Sequence, residues 1–114
     1  MISSVKSSVS AINAAFEMNA ASAHNVANSR TDGFKSLVTS TEENRNGSVT
    51  VNVTQNPEPG TVYYSENGEQ VESSNVDYAR ETVNQMNARH LLAANIAALK
   101  TYQDMEKSVI DIMA

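Results

Sequence analysis

The chain has no cysteine and no tryptophan. Without thiols it can form neither a disulfide nor a thiolate metal site, and this absence fits any redox compartment. Aromatic residues make up 5% of the 114 positions. The apolar volume therefore comes from Ala, Val, Ile, Leu and Met, which favours packing of long helices over a large self-contained core. A long apolar run is also missing. The richest stretch, residues 91–99, is interrupted by Asn95 and falls far short of the ~20 residues that cross a bilayer, so direct membrane insertion is not expected. The opening segment MISSVKSSVSAINAAF places a polar residue every few positions and lacks the apolar stretch of a secretory signal peptide. Signal-dependent secretion is not expected either.

Positive charge is scarce where it would matter for nucleic acid. The formal charge is −5, and Glu58, Glu66, Glu69, Glu72, Asp77 and Glu81 face only one basic residue, Arg80. Such a balance repels phosphate backbones, so no nucleic-acid partner is expected. His24 and His90 are the only histidines, and neither has another His or Cys at ligand spacing. The segment Asn44-Arg45-Asn46-Gly47 lacks the acidic ligands of a calcium loop. No Ser/His/Asp set, Gly-rich phosphate loop or carboxylate pair stands out. The expectation is a non-enzymatic protein without metal or cofactor.

What the sequence does contain is helical periodicity at both ends. Ile2, Val5, Val9, Ile12, Phe16, Asn19, Ala23 and Val26 recur at alternating steps of three and four, the heptad spacing that turns one stripe of a helix toward a partner. Asn19 is polar within that stripe, as at helical seams where an amide sets register. The run Asn28-Ser29-Arg30-Thr31-Asp32-Gly33 is made of cap and turn formers, so the helix should end before Gly33 and Phe34 should fold back against it. A second helical stretch opens at Ser74, where Ser74 and Asp77 fit a capping box and Asp77 and Glu81 place negative charge at the positive end of the dipole. Ala88, Leu91, Asn95, Ala98, Tyr102, Met105, Val109 and Ile112 continue the three-four alternation almost to the last residue.

Between the helices the pattern changes to period two. Val49, Val51 and Val53 alternate with Thr50, Asn52 and Thr54, as in a half-buried strand. Val62, Tyr63 and Tyr64 read as a second strand, with one tyrosine in a small core and the other free for contact. Pro57-Glu58-Pro59-Gly60 marks a loop, and Asn67-Gly68 is a hairpin dipeptide that starts a return toward Val71. Residues 39–48, TSTEENRNGS, hold almost nothing to bury and read as a mobile connection. The fold expected is mainly α and a single domain. Its long N- and C-terminal helices, within 1–35 and 74–114, pair in coiled-coil fashion, and a short β-hairpin or small sheet is inserted over 36–73.

Two segments carry a family resemblance. Asn25-Val26-Ala27-Asn28-Ser29-Arg30-Thr31-Asp32-Gly33-Phe34-Lys35 resembles the N-x-A-N-x-x-T-x-G-F/Y-K signature of bacterial flagellar rod and hook proteins. Ser74-Asn75-Val76-Asp77 with Glu81 resembles the opening of that family's C-terminal helix. The chain departs at Arg89-His90-Leu91, where family members commonly show Gln-Arg-aromatic. The resemblance covers the two ends, and the short middle points to the small proximal-rod type of the basal body. It implies a structural subunit exported unfolded through the flagellar type III apparatus, without a cleaved signal peptide. Such a subunit assembles helically in the periplasmic rod with other rod proteins and with copies of itself. Seam residues for that assembly are Val5, Val9, Ile12, Phe16, Asn19, Ala23 and Val26 on the first helix, and Leu91, Asn95, Ala98, Tyr102, Met105, Val109 and Ile112 on the last. Composition alone leaves open a two-helix coiled-coil adaptor or chaperone, and the family leaves open a hook or junction subunit.

Overall fold

The computed structural model describes residues 2–114 apart from the Ile2 side chain, so the first member of the N-terminal stripe lies outside the described residues. Helix α1 spans Ile2–Ala27, a segment without Gly or Pro. Helix α2 spans Tyr78–Met113. Between them come β1 Leu37–Glu43, β2 Val49–Gln55, β3 Val62–Tyr64 and β4 Gln70–Glu72, paired as two separate antiparallel hairpins, β1–β2 and β3–β4. The molecule is a rod, 79 × 24 × 14 Å.

α1 and α2 run antiparallel. Ser22 Oγ donates to the Glu81 carbonyl at one end, 3.1 Å, and Val5 and Ser8 share a groove with Ala98, Tyr102 and Met105 at the other. The buried residues of α1 are all short: Ala11, Ala14, Ala15, Ala21, Ser22 and Asn25. This selection has a mechanical cause. α1 is covered on one side by α2 and on another by the β1–β2 hairpin, which hydrogen-bonds to it through Ser7 Oγ to Gly47 O (2.6 Å) and Val49 N to Ser10 Oγ (3.0 Å). A helix packed on two sides needs small residues to bring both neighbours close. The packed stripe of Ala11, Ala15, Ser22 and Asn25 therefore lies one residue, roughly 100°, round the helix from the larger apolar stripe. Of that larger stripe, Val5, Ile12 and Val26 are half-buried, while Val9, Phe16, Asn19 and Ala23 are exposed.

On α2, Leu91, Asn95 and Tyr102 are half-buried and Ala98 is exposed, with Tyr102 in the groove shared with Val5 and Ser8 of α1. The two helices differ in length, about 39 Å against about 54 Å at the α-helical rise. α2 consequently projects past the start of α1, and Met105, Val109, Ile110, Ile112 and Met113 are all more than half exposed there.

Two expectations need correction. Residues 39–48 are not a mobile connection. Positions 39–43 belong to β1, with Thr39 opposite Val53 and Thr41 opposite Val51, and 44–48 form the turn. The polar composition was misleading because β-branched threonines need only one covered face, and β2 with α1 supplies both backbone partners and that cover. Helix α2 starts at Tyr78 rather than Ser74. Asp77 is its N-cap, with φ −107° and its carboxylate accepting from Ala79 N. Residues 74–76 are drawn out of the helix because their polar groups bond elsewhere, as described next. The hairpin expected at Asn67-Gly68 is present, but as one of two separate hairpins rather than within a single hairpin or sheet. It turns as the first does: Gly68 N donates to Ser65 O and Gly47 N to Asn44 O, each 2.8 Å, with both glycines at positive φ, +78° and +75°, as in a type I turn followed by a glycine bulge.

Candidate functional site

The residues matched by the family resemblance converge on one polar junction, where the end of α1, the exit turn, β4 and the start of α2 meet. Asn25, 0% exposed, is its centre. Its Nδ2 donates to Leu37 O (2.8 Å) and its Oδ1 accepts from Leu37 N (2.7 Å), so the side chain pairs with β1 as a neighbouring strand would. An amide alone offers a donor and an acceptor in that geometry. Nδ2 also reaches Glu81 Oε1 at 3.0 Å. Glu81 is 2% exposed, and its other carboxylate oxygen is buried without a partner among the described residues.

Asn28 works locally. Its Nδ2 donates to His24 O (2.9 Å), a carbonyl that also accepts from Asn28 N at 3.1 Å, so the side chain bonds back onto the last turn of the helix, and its Oδ1 accepts from Thr31 Oγ1 at 3.3 Å. Gly33 takes φ +69°, the left-handed conformation that lets the chain reverse, and its N–H donates to Glu72 O at 2.8 Å. Phe34 then lies edge-on to His24 with ring centroids 5.5 Å apart, folded back on α1 as the turn predicts.

Beyond the turn, Lys35 forms an ion pair with Glu72, and its Nζ also donates to Glu58 O at 3.1 Å. Glu72 Oε1 accepts from Gly60 N at 2.7 Å. The Lys35 hydrogen bond first, then the Gly60 N–H and the Lys35 charge, hold the Glu72 carboxyl below its ordinary range. Asn75 repeats the device of Asn25. Its Oδ1 accepts from Ser36 N (2.6 Å) and its Nδ2 donates to Asn56 O (3.2 Å) and Glu58 O (2.7 Å). Asn75 N donates to Phe34 O, and Ser74 Oγ accepts from Val76 N. Those bonds are what keep residues 74–76 extended and leave Asp77 to cap α2.

Asn25, Lys35, Asn75 and Glu81 thus bridge between segments, Asn28, Thr31, Ser74 and Asp77 act within their own turns, and Gly33 and Phe34 set the reversal. Several participants were not visible as site residues in the sequence. Gly60 packs so closely that a Cβ there would lie 2.0 Å from Ser73 O; Pro59-Gly60 was the available signal. Glu72 and Asn56 carry no local pattern. Tyr63 donates to Asp32 Oδ2 at 2.9 Å. That bond, with desolvation and the Asp32 charge behind it, raises the Tyr63 hydroxyl pKa. Both tyrosines are exposed, Tyr63 43% and Tyr64 74%, so neither fills the small core expected of one of them: the three-residue β3 pairs only with β4 and no helix covers it.

Chemically the junction is a set of amide, carboxylate and backbone ties. Among the described residues no group of three or more His, Cys, Asp or Glu is placed to hold a metal ion, and no helix is long and apolar enough to cross a membrane. The other surface of note is apolar: Val9 and Phe16 on α1, 44% and 58% exposed, and the projecting end of α2. Comparison with protein-family models and with curated proteins gives no match for this chain.

Proposed function

We propose that this chain is a non-enzymatic structural subunit of the bacterial flagellar basal-body rod, of the small proximal-rod type. Its terminal helices polymerise in coiled-coil fashion with copies of itself and with other rod proteins, and the assembly transmits torque through the periplasm. Export is through the flagellar type III apparatus. The observation that carries the reading is the junction: the two segments with the family resemblance are 56 residues apart at the Asn25–Glu81 bond, yet they fold into one hydrogen-bonded unit. A second feature supports it. Val9 and Phe16 of the N-terminal stripe and the apolar side chains of the α2 end are left exposed by the chain's own packing, and heterologous, non-closing contacts between such faces build helical polymers.

The test is mass spectrometry of detergent-washed basal bodies from the source organism. Stoichiometric co-purification of the chain is the expected result. A chain absent from basal bodies and soluble in the cytoplasm overturns the rod reading and favours a coiled-coil adaptor or chaperone; a chain found only in hook fractions moves it within the axial family.

A further inference from the structure

The two hairpin turns form a natural pair. Asn44-Arg45-Asn46-Gly47-Ser48 and Ser65-Glu66-Asn67-Gly68-Glu69 share the same backbone bonds: Gly47 N to Asn44 O and Gly68 N to Ser65 O, each 2.8 Å, and Asn44 N to Ser48 O and Ser65 N to Glu69 O, 2.8 and 2.9 Å. They contain the only two Asn-Gly dipeptides in the chain. Their asparagine side chains differ. Asn46 Oδ1 is held by Ser48 N (3.0 Å) and Ser48 Oγ (2.7 Å), and Ser7 Oγ ties the Gly47 carbonyl to α1. Asn67 is exposed, with Glu66, Gly68 and Glu69 exposed around it, and its amide makes no hydrogen bond among the described residues.

We propose that Asn67-Gly68 is a site of spontaneous covalent modification, deamidating through a cyclic imide, and that Asn46-Gly47 is protected from it by the Ser48 clamp. In this reaction the Gly68 nitrogen forms a bond to Asn67 Cγ and gives up its proton. The Cγ–Nδ2 bond breaks and ammonia leaves. Water then adds to either imide carbonyl, opening the ring to aspartate or isoaspartate with no oxidant or reductant. The following glycine matters because it has no Cβ to obstruct the nitrogen's approach. The same steps at Asn46 require its amide to leave both Ser48 bonds before Cγ can swing over Gly47 N.

The product has a structural consequence. It places a third carboxylate between Glu66 and Glu69, and the isoaspartyl form lengthens the main chain by one methylene, so the Gly68 N to Ser65 O turn no longer closes. The hairpin involved carries Tyr63 to Asp32 and Glu72 to Lys35 and Gly60, and the lesion therefore loosens the clamp on the junction.

The experiment is a time course of the full chain at mildly alkaline pH, read by peptide mapping for a mass gain of about one dalton and by isoaspartate-specific methylation. Asn67 is expected to convert about tenfold faster than Asn46, the factor that corresponds to about 1.4 kcal/mol of hydrogen bonding. In urea the two rates are expected to converge, and Ser48→Ala is expected to raise the Asn46 rate in the folded chain. Equal rates at the two sites in the folded chain, conversion of Asn46 first, or an Asn67 that stays intact while the urea control converts would each overturn the proposal.

Discussion

Replacing Asn25 with alanine is expected to be among the most damaging single changes at the junction, with a cost of about 3–5 kcal/mol. Truncation strips Leu37 N, Leu37 O and Glu81 Oε1 of partners at once. Leu37 is half-buried, so water recovers part of its two bonds and each loss is worth about 1 kcal/mol. The Glu81 carboxylate has no such recourse, because its second oxygen is already buried without a partner; orphaning the first adds about 1–3 kcal/mol. A chain of this length has roughly 6–17 kcal/mol of total stability at the usual 0.05–0.15 per residue, so the substitution removes a substantial part of it. The assay is urea unfolding followed by far-UV circular dichroism, with the slope m checked for constancy. Repeating Asn25→Ala in a Glu81→Leu background isolates the carboxylate, and the cost there should fall by about 1–3 kcal/mol. A loss below about 1 kcal/mol in the native background, or an identical loss in both, would refute the reasoning.

Gly60→Ala should destabilise by about 2 kcal/mol or more in the same titration, because its Cβ would meet backbone at Ser73 and Ser74 rather than a side chain that can move; a neutral outcome would mean that the 57–60 loop gives way freely. Glu72 has its folded pKa lowered by Lys35 and Gly60, so its stabilising contribution is present above the unfolded carboxyl pKa and lost as pH falls through the folded one; Glu72→Gln should flatten that acid limb of stability against pH. Tyr63 is the opposite case. Its folded pKa is raised by Asp32, so its contribution holds below the unfolded phenol pKa and is lost as pH rises through the folded value, and Tyr63→Phe should remove that alkaline limb. Phe16→Asp should leave monomer stability within about 0.5 kcal/mol, since the ring is 58% exposed, yet block polymerisation by putting charge into a face that becomes dry; rods that form normally from this variant would disprove the role of that stripe.

The helices were legible in the sequence because helix-period spacing survives any local context, and the β3–β4 hairpin because Asn67-Gly68 and the Val62-Tyr63-Tyr64 run both point to it. The Gly33 reversal with Phe34 folded back on the helix was equally readable from cap and turn chemistry. β1 was not, since Leu37–Glu43 has the composition of a linker and becomes a strand only through β2 and α1. The start of α2 was misplaced for a related reason: the capping box at Ser74 is a local signal, and Asn75 is drawn instead into bonds with residues 36, 56 and 58. The face of α1 that packs within the chain was hidden as well. A stripe of large apolar residues is the strongest periodic signal, but contact on two sides selects Ala11, Ala15 and Ser22, whose small side chains register weakly in any hydrophobic pattern. In the junction, the motif residues were legible by their order, whereas partners such as Glu72 and Gly60 are brought in only by the fold.

The antiparallel pairing of α1 with α2 also makes the packing of the first helix depend on the last. Ser22 finds its acceptor 59 residues downstream, and Val5 shares its groove with residues 98–105. A chain emerging from its N-terminus can therefore assemble α1 with the first hairpin early, but the side of α1 that meets α2 has no cover until Tyr78–Met113 has been synthesised. Closure of so long a loop is slow and late. A polypeptide that stops before α2 is left without the cover that α2 gives α1, and with Asn25 deprived of Glu81.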